Sequence, residues 1–186
     1  MVKKMLIGFS MVLFLLSSVT YWNFNKQETS ISSATWNDHY DDINELSYSS
    51  DIIIKGTLES SSTQLRNDVV FTMNSVKITD VISGDIKKGD IIEILQTGGT
   101  YKNIYTPPIE SVPLLENGES YLLYLNLTEY HPTYGQYYLI SGGYQGLALV
   151  NDKGFVEPVT SSNSIFSKSN YNINEIQNIA VQSLEQ

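Results

Sequence analysis

Between Ile52 and Glu157 apolar residues recur at alternate positions in short runs, separated by glycine, asparagine and proline. A period of two sends successive side chains to opposite faces of a strand, so the core must be built from pleated sheet. Ile52, Ile54, Gly56 and Leu58 alternate with Ile53, Lys55, Thr57 and Glu59. Residues 60–67 read as a polar loop. Residues 69–81 read as a second long strand whose apolar phase shifts from Val69, Phe71 and Met73 to Val76 and Ile78. A phase shift inside a strand implies a bulge or sharp bend, as a small curled barrel requires. Gly84 and Gly89 bracket a turn before a strand over 91–96. Residues 121–128 are apolar on both faces through 122–125, which demands a central position or cover by a helix. Strands over 137–141 and 146–150 follow, the second turning through Asn151-Asp152-Lys153-Gly154 into 155–157.

Helices flank these strands. Tyr40, Ile43 and Leu46 are spaced three apart in a short amphipathic helix beginning near Trp36, with Asp41 and Asp42 near its start. Asn172 and Glu175 can cap a C-terminal helix whose apolar stripe is Ile173, Ile176, Ile179, Ala180 and Leu184. The sum is a mainly β chain: a small OB-like antiparallel β-barrel with a short N-terminal helix and a C-terminal helix.

Four segments carry a resemblance: Ser50-Asp51-Ile52-Ile53-Ile54-Lys55-Gly56-Thr57-Leu58, Val76-Lys77-Ile78-Thr79-Asp80-Val81-Ile82-Ser83-Gly84, Gly89-Asp90-Ile91-Ile92-Glu93-Ile94, and residues 115–125 from Leu115 to Leu125. Their order over residues 43–150 resembles that of netrin-like domains, the group that includes the tissue inhibitors of metalloproteinases. The resemblance implies an OB-type barrel. It does not carry the inhibitory activity, because those inhibitors chelate the protease metal through a disulfide-tied N-terminal cysteine, and this chain has no cysteine.

The N-terminus supplies an address. Lys3 and Lys4 precede an apolar block over 5–16, and no charge follows until Lys26. A basic head before an apolar block reads as an export signal or membrane anchor, with the lysines retained inside. The block fits a secretory signal, whereas counting on to Tyr21 and Trp22 approaches the length of a membrane span with interfacial aromatics, and both readings stay open. Residues 1–22 are thus a signal peptide or anchor, 23–35 a polar linker, and 36–186 one domain outside the cytoplasm. The abundance of Ile, Asn, Ser, Tyr and Lys suits an AT-rich bacterial genome. Without Lys3 and Lys4 the net charge falls from −9 to −11, since the first 22 residues hold no acid. So acidic a domain repels nucleic acid and anionic membrane surfaces. With no cysteine, the core must supply stability without disulfides.

Catalytic signatures are missing from this pattern. His39 and His131 stand far apart, outside any ligand-spaced cluster, so no metal site or cofactor is expected. The serines fall in no nucleophile elbow. Asp51, Asp80, Asp85 and Asp90 sit at strand ends or turns, where turn formation accounts for them. Two tyrosine-rich stretches stand out instead. Residues 97–113 read as a long loop carrying Tyr101 and Tyr105; residues 130–144 carry Tyr130, Tyr134, Tyr137, Tyr138 and Tyr144, some of which strand alternation would bury. Tyr101, Tyr105, Tyr130 and Tyr134 are the candidate binding residues, because tyrosine offers contact area at small entropic cost. The expected function is non-catalytic binding at the bacterial cell surface, with a protein or glycan partner outside the cell. The alternatives are a cell-envelope hydrolase built from strand-end carboxylates, or a purely structural envelope protein. Protease added to intact cells should remove residues 36–186 from a tethered chain, or the domain should accumulate in the medium. Recovery from the cytoplasm alone contradicts this topology.

Overall fold

The computed structural model describes residues 28–29, 39–109, 112–132, 135–167 and 170–183. The segment 1–22, Trp36, Tyr134 and Leu184 lie outside the described residues. The strands are β1 (Glu28–Thr29), β2 (Ile52–Arg66), β3 (Val69–Ser83), β4 (Ile91–Thr97), β5 (Gly99–Tyr101), β6 (Ile104–Thr106), β7 (Ser120–Leu127), β8 (Tyr138–Ile140), β9 (Leu147–Val150) and β10 (Val156–Pro158). The helices are α1 (Ile43–Tyr48), α2 (Ser164–Ser167) and α3 (Ile173–Ser183), with a 3-10 turn over Gly143–Gly146. Among the described residues no helix is long and apolar enough to cross a membrane.

β7, β2, β3, β4 and β8 are neighbours in that order, and β8 returns to β7, closing a barrel of five strands. Every contact in the ring is antiparallel except β4–β8, a parallel seam at Ile94 and Tyr138. This connectivity is consistent with an OB-like barrel. One edge of β7 is shared between two partners. Tyr121, Leu122 and Leu123 pair with β9, and Leu125, Asn126 and Leu127 pair with β8. The β9–β10 hairpin therefore leaves the ring as a wing, and the helices pack beneath it.

The apolar run in β7 has a direct cause: each face of the strand lines a different core. Tyr121, Leu123 and Leu125 enter the barrel with Ile52, Ile54, Val76, Ile78 and Ile94. Leu122 and Tyr124 face the helices, among Ile53, Leu46, Phe166 and Ile176. The Tyr124 and Phe166 rings lie 6.1 Å apart, and burial pushes the Tyr124 phenol pKa upward. Burying an apolar side chain of this size contributes about 1.5–3 kcal/mol, so one strand stabilises both cores.

The C-terminal helix follows its sequence signals, whereas α1 begins at Ile43, not near Trp36, and leaves Tyr40 ahead of it. Asp42 caps α1 by accepting from the Asn44 and Glu45 amides at 2.8 and 3.0 Å. The Glu45 amide bond is the main cause that lowers the Asp42 pKa. The chain ahead of α1 is held by Gln145, whose amide accepts from Tyr40 N at 3.0 Å and donates to Tyr40 O at 2.8 Å. Asn172 and Glu175 form the reciprocal cap of α3, and Ile176 and Ala180 are buried beneath it.

Two local expectations are corrected. Residues 60–66 are strand, because β2 continues to Arg66 and turns through Asn67 and Asp68. Both turn residues have positive φ, 49° and 63°, which is the backbone of a type I′ hairpin and suits Asn and Asp. The outer half of β2 stands clear of the barrel core, so Ser60, Ser61, Ser62 and Thr63 carry no apolar alternation. In β3 the phase does not shift between Val70 and Ile78. Val70, Thr72, Asn74, Val76 and Ile78 all point inward and are buried. Polar side chains at 72 and 74 make the outward Phe71 and Met73 resemble the inner row. The bulges lie elsewhere, where the register skips Glu59, Thr79 and Ile82.

Gly56 lies between two of these irregularities. A Cβ there would sit 2.7 Å from Val76 Cγ1 and 3.2 Å from Lys77 O. We expect Gly56→Val to cost at least about 2–3 kcal/mol by overpacking. Lys55→Thr, on the outer face of the same strand, should cost under about 1 kcal/mol. Chemical denaturation compares them, and equal losses contradict the strand phase.

Candidate functional site

Residues 97–113, expected as a loop without structure, contain the β5–β6 hairpin, which is bonded to the outer half of the β2–β3 ribbon. Gly98 N donates to Val70 O at 2.9 Å, and Thr72 Oγ1 donates to Gly98 O at 2.7 Å. Thr63 Oγ1 donates to Thr100 O at 3.0 Å, and Val70 N donates to Thr106 Oγ1 at 2.8 Å. Each such bond contributes about 0.5–1.5 kcal/mol net. At the base of the hairpin Gly98 has φ +120°, and a Cβ would lie 2.8 Å from Pro108 Cα. Only glycine allows this approach of two backbones.

The chain leaving the hairpin is seated by one buried amide. Gln96 Oε1 accepts from Asn74 Nδ2 at 3.0 Å and from Leu115 N at 3.1 Å, while its Nε2 donates to Pro113 O at 3.0 Å. Val112 and Leu115, positioned by those bonds, join the barrel core. The barrel end is thus plugged by Val112 and Leu115, which leaves the tyrosines of the hairpin outside the plug. Asn74 Oδ1 is buried without a hydrogen-bond partner, so Gln96 is the hub of this network.

Tyr101 and Tyr105 do not share a face. Tyr101 pairs with Ile104, and Thr100 pairs with Tyr105. Cross-strand partners project to the same side. Thr106, buried and bonded to Val70 N, marks the side toward the ribbon. By alternation Ile104 and Tyr101 lean to that side, and Tyr105 projects with exposed Thr100 to the other. Lys102 Nζ lies 5.3 Å from the Tyr101 ring centroid, a cation–π contact worth about 0.5–1 kcal/mol at an exposed site.

Tyr130 is 72% exposed, in the connection between β7 and β8. Beside it His131 and Gly135 exchange backbone bonds of 2.8 Å each, and Arg66 Nη1 lies 3.4 Å from His131 Nε2. Thr63 holds the hairpin and Arg66 meets the Tyr130 connection, so both tyrosine segments are tied to the same end of one ribbon. Tyr134 lies outside the described residues. Tyr138 on β8 and Tyr144 in the 3-10 turn both pack against the barrel core. The framing residues Thr63, Thr72, Gln96 and Thr106 escaped sequence reasoning. Their one signal was a polar residue, as at Thr72, Asn74 or Gln96, in phase with an apolar alternation.

The strand-end carboxylates serve the backbone. Asp51 Oδ2 accepts from Leu127 N at 2.7 Å, and Asp90 Oδ2 accepts from Lys87 N at 3.2 Å. Among the described residues no three His, Asp or Glu side chains gather to hold a metal ion. Two shallow grooves lie beside α3, and none of Tyr101, Tyr105 or Tyr130 lines either. One of about 350 Å³ is lined by Asn44, Glu45, Tyr48 and Ser183, and one of about 450 Å³ by Tyr171, Glu175, Asn178 and Ile179 among others. No known protein-family profile matches the chain, and no curated protein matches it in sequence.

Gln96→Leu removes the acceptor for two buried donors and the donor for Pro113 O. We expect a loss of about 2–4 kcal/mol, since unpaired buried groups each cost about 1–3 kcal/mol. Thr63→Val, at an exposed bond, should cost under about 1 kcal/mol. Thermal unfolding followed by circular dichroism checks both, and a neutral Gln96→Leu removes the hub from the account.

Proposed function

We propose that this chain is an exported or membrane-tethered binding module, built on an OB-like barrel with netrin-like strand order, that meets a protein partner at the end of the β2–β3 ribbon. The observation that carries this reading is a largely exposed aromatic, Tyr130, and a half-buried one, Tyr105, on a fixed frame. Tyr105 lies on the hairpin face turned from the ribbon, and four hydrogen bonds hold that hairpin to the ribbon. Aromatic anchors presented without conformational freedom lose little entropy on binding, and they supply most of the energy of many interfaces. Arg66 and Lys102 stand at this end beside Asp68 of the ribbon turn and Glu129 next to Tyr130, so the patch carries mixed charge around its tyrosines. A protein surface with an aromatic-binding pocket and a polar rim fits that chemistry. Asp51 and Asp90 accept from backbone amides, which accounts for these two carboxylates without chemistry.

The address rests on Lys3, Lys4 and the apolar block that follows them. Five residues lie between Trp22 and Glu28 in β1, so the two are six residue steps apart. Six residues span at most about 20 Å. A retained anchor would therefore keep the tyrosine end close to the outer membrane surface.

The test is the pair Tyr105→Ser with Tyr130→Ser, displayed on cells or purified, and measured for melting temperature and for retention of envelope proteins. Melting should stay within a few degrees, because few core contacts are lost, and retention of the wild-type partner should fall by at least about tenfold. Tyr101→Ser, on the ribbon side, should lower melting more than either change. Undiminished retention by the Tyr105 and Tyr130 variant contradicts the reading, and retained glycan in place of protein reassigns the partner.

A further inference from the structure

We propose that Asn117-Gly118 is a self-modifying site: the Gly118 nitrogen closes on the Asn117 side chain, and water then leaves isoaspartate that loosens the entry to β7. The inference stands on this turn alone and does not depend on the binding-module reading. Asn117-Gly118 is the single Asn-Gly step in the chain. It forms the turn before β7, and Glu116, Asn117, Gly118 and Glu119 are all exposed. Gly118 has φ +89°, and a Cβ on it would meet nothing within 4 Å. Glycine leaves its nitrogen unshielded toward the preceding side chain and permits the backbone rotation that ring closure requires. Among the described residues no hydrogen bond holds the Asn117 side chain or the Gly118 amide. The chemistry balances with water as its co-reactant. Hydroxide takes the Gly118 N–H proton, the nitrogen attacks Asn117 Cγ, and the Cγ–Nδ2 bond breaks to release ammonia, which takes its third proton from water and returns the hydroxide. The five-membered succinimide then holds Gly118 N between Asn117 Cγ and the main-chain carbonyl carbon. Water opens it at Cγ to give aspartate, or at the main-chain carbon to give isoaspartate, in which the chain runs on through Cβ and Cγ.

The fold selects this asparagine over its rivals in sequence. Asn74-Ser75 and Asn163-Ser164 also precede a small residue, but both asparagines are fully buried. Their amides are engaged: Asn74 Nδ2 donates to Gln96 Oε1 at 3.0 Å, and Asn163 Nδ2 donates to Tyr144 O at 2.7 Å. Reaction at 117 matters because the turn is clamped on both sides. Leu115 N donates to Gln96 Oε1 at 3.1 Å, and Glu116 N donates to the Tyr121 hydroxyl at 2.9 Å. Leu115 and Tyr121 are both buried in the barrel core. Isoaspartate lengthens the main chain between Glu116 and Tyr121, and it adds a carboxylate between those of Glu116 and Glu119. The added length must be absorbed where β7 starts.

The experiment incubates the full chain in detergent at mildly alkaline pH beside a synthetic peptide copying residues 114–120. Peptide mapping by mass spectrometry, with electron-transfer fragmentation, separates aspartate from isoaspartate. An exposed turn opens at little cost, so Asn117 should convert within about tenfold of the peptide rate, and faster as pH rises. Asn74 and Asn163 should keep their amides while circular dichroism shows an intact fold. Slower conversion of Asn117 than this, or equal conversion at Asn74 or Asn163 in the folded chain, overturns the proposal. Gly118→Ala, whose methyl group enters open space, should slow the reaction severalfold, and an unchanged rate overturns the succinimide route. The isoaspartate fraction, separated by ion exchange, should melt a few degrees below the Asn117→Asp variant, which carries the charge without the longer chain. Equal melting of the two overturns the consequence for β7.

Discussion

The double burial of β7 governs the rest of the molecule. A strand with one wet face could close the barrel or support the helices, but Leu122, Leu123, Tyr124 and Leu125 are fully enclosed because both jobs fall on one strand. The barrel interior and the helix layer are therefore not separable units: removing either exposes one face of the same four residues. The split edge of β7 has the same origin. One half must pair with β8 to close the ring, and the other must pair with β9 to carry the chain toward the helices. In a chain without disulfides, this sharing lets modest elements such as the six-residue α1 form at all.

Beyond the barrel the physics changes from apolar packing to bonded polar groups. The outer halves of β2 and β3 present Thr63, Thr72 and Asn74 to the returning chain, and Gln96 joins them from β4. Apolar side chains there would bury area but leave the carbonyls and amides of 98–115 unpaired. Each bond is small. Their number and separation fix the hairpin at its base, its middle and its exit. The tyrosines are consequently positioned by groups that are themselves remote from any partner.

Much of the barrel was legible because alternation is a direct imprint of a two-sided strand: Ile52, Ile54, Gly56 and Leu58 were assigned to the interior, as found. The Asn172 and Glu175 cap of α3 and the two-faced burial of β7 are equally visible. The ribbon was not. Its strand residues 60–66 lie over no core on one side, and their turn uses Asn67-Asp68 in place of a glycine-containing pair. Thr72 and Asn74 inverted the apparent phase of β3, because an inward polar residue is indistinguishable from an outward one until its partner across 20 residues or so is known. For the site, the stretch 130–144 gives no signal of which tyrosines reach the surface, and the opposite orientations of Tyr101 and Tyr105 depend on a hairpin register that composition does not encode.

The tyrosine end is a rigid platform continuous with the barrel, although its sequence reads as a loop. Native-state hydrogen exchange of backbone amides can show this, with the fully enclosed β7 amides as the reference for global unfolding. The amides of Gly98, Val112 and Leu115, bonded to Val70 O, Ile109 O and Gln96 Oε1, should exchange slowly alongside the barrel strands. Exchange of all three at the rate of an unstructured peptide, while β7 stays protected, would contradict it.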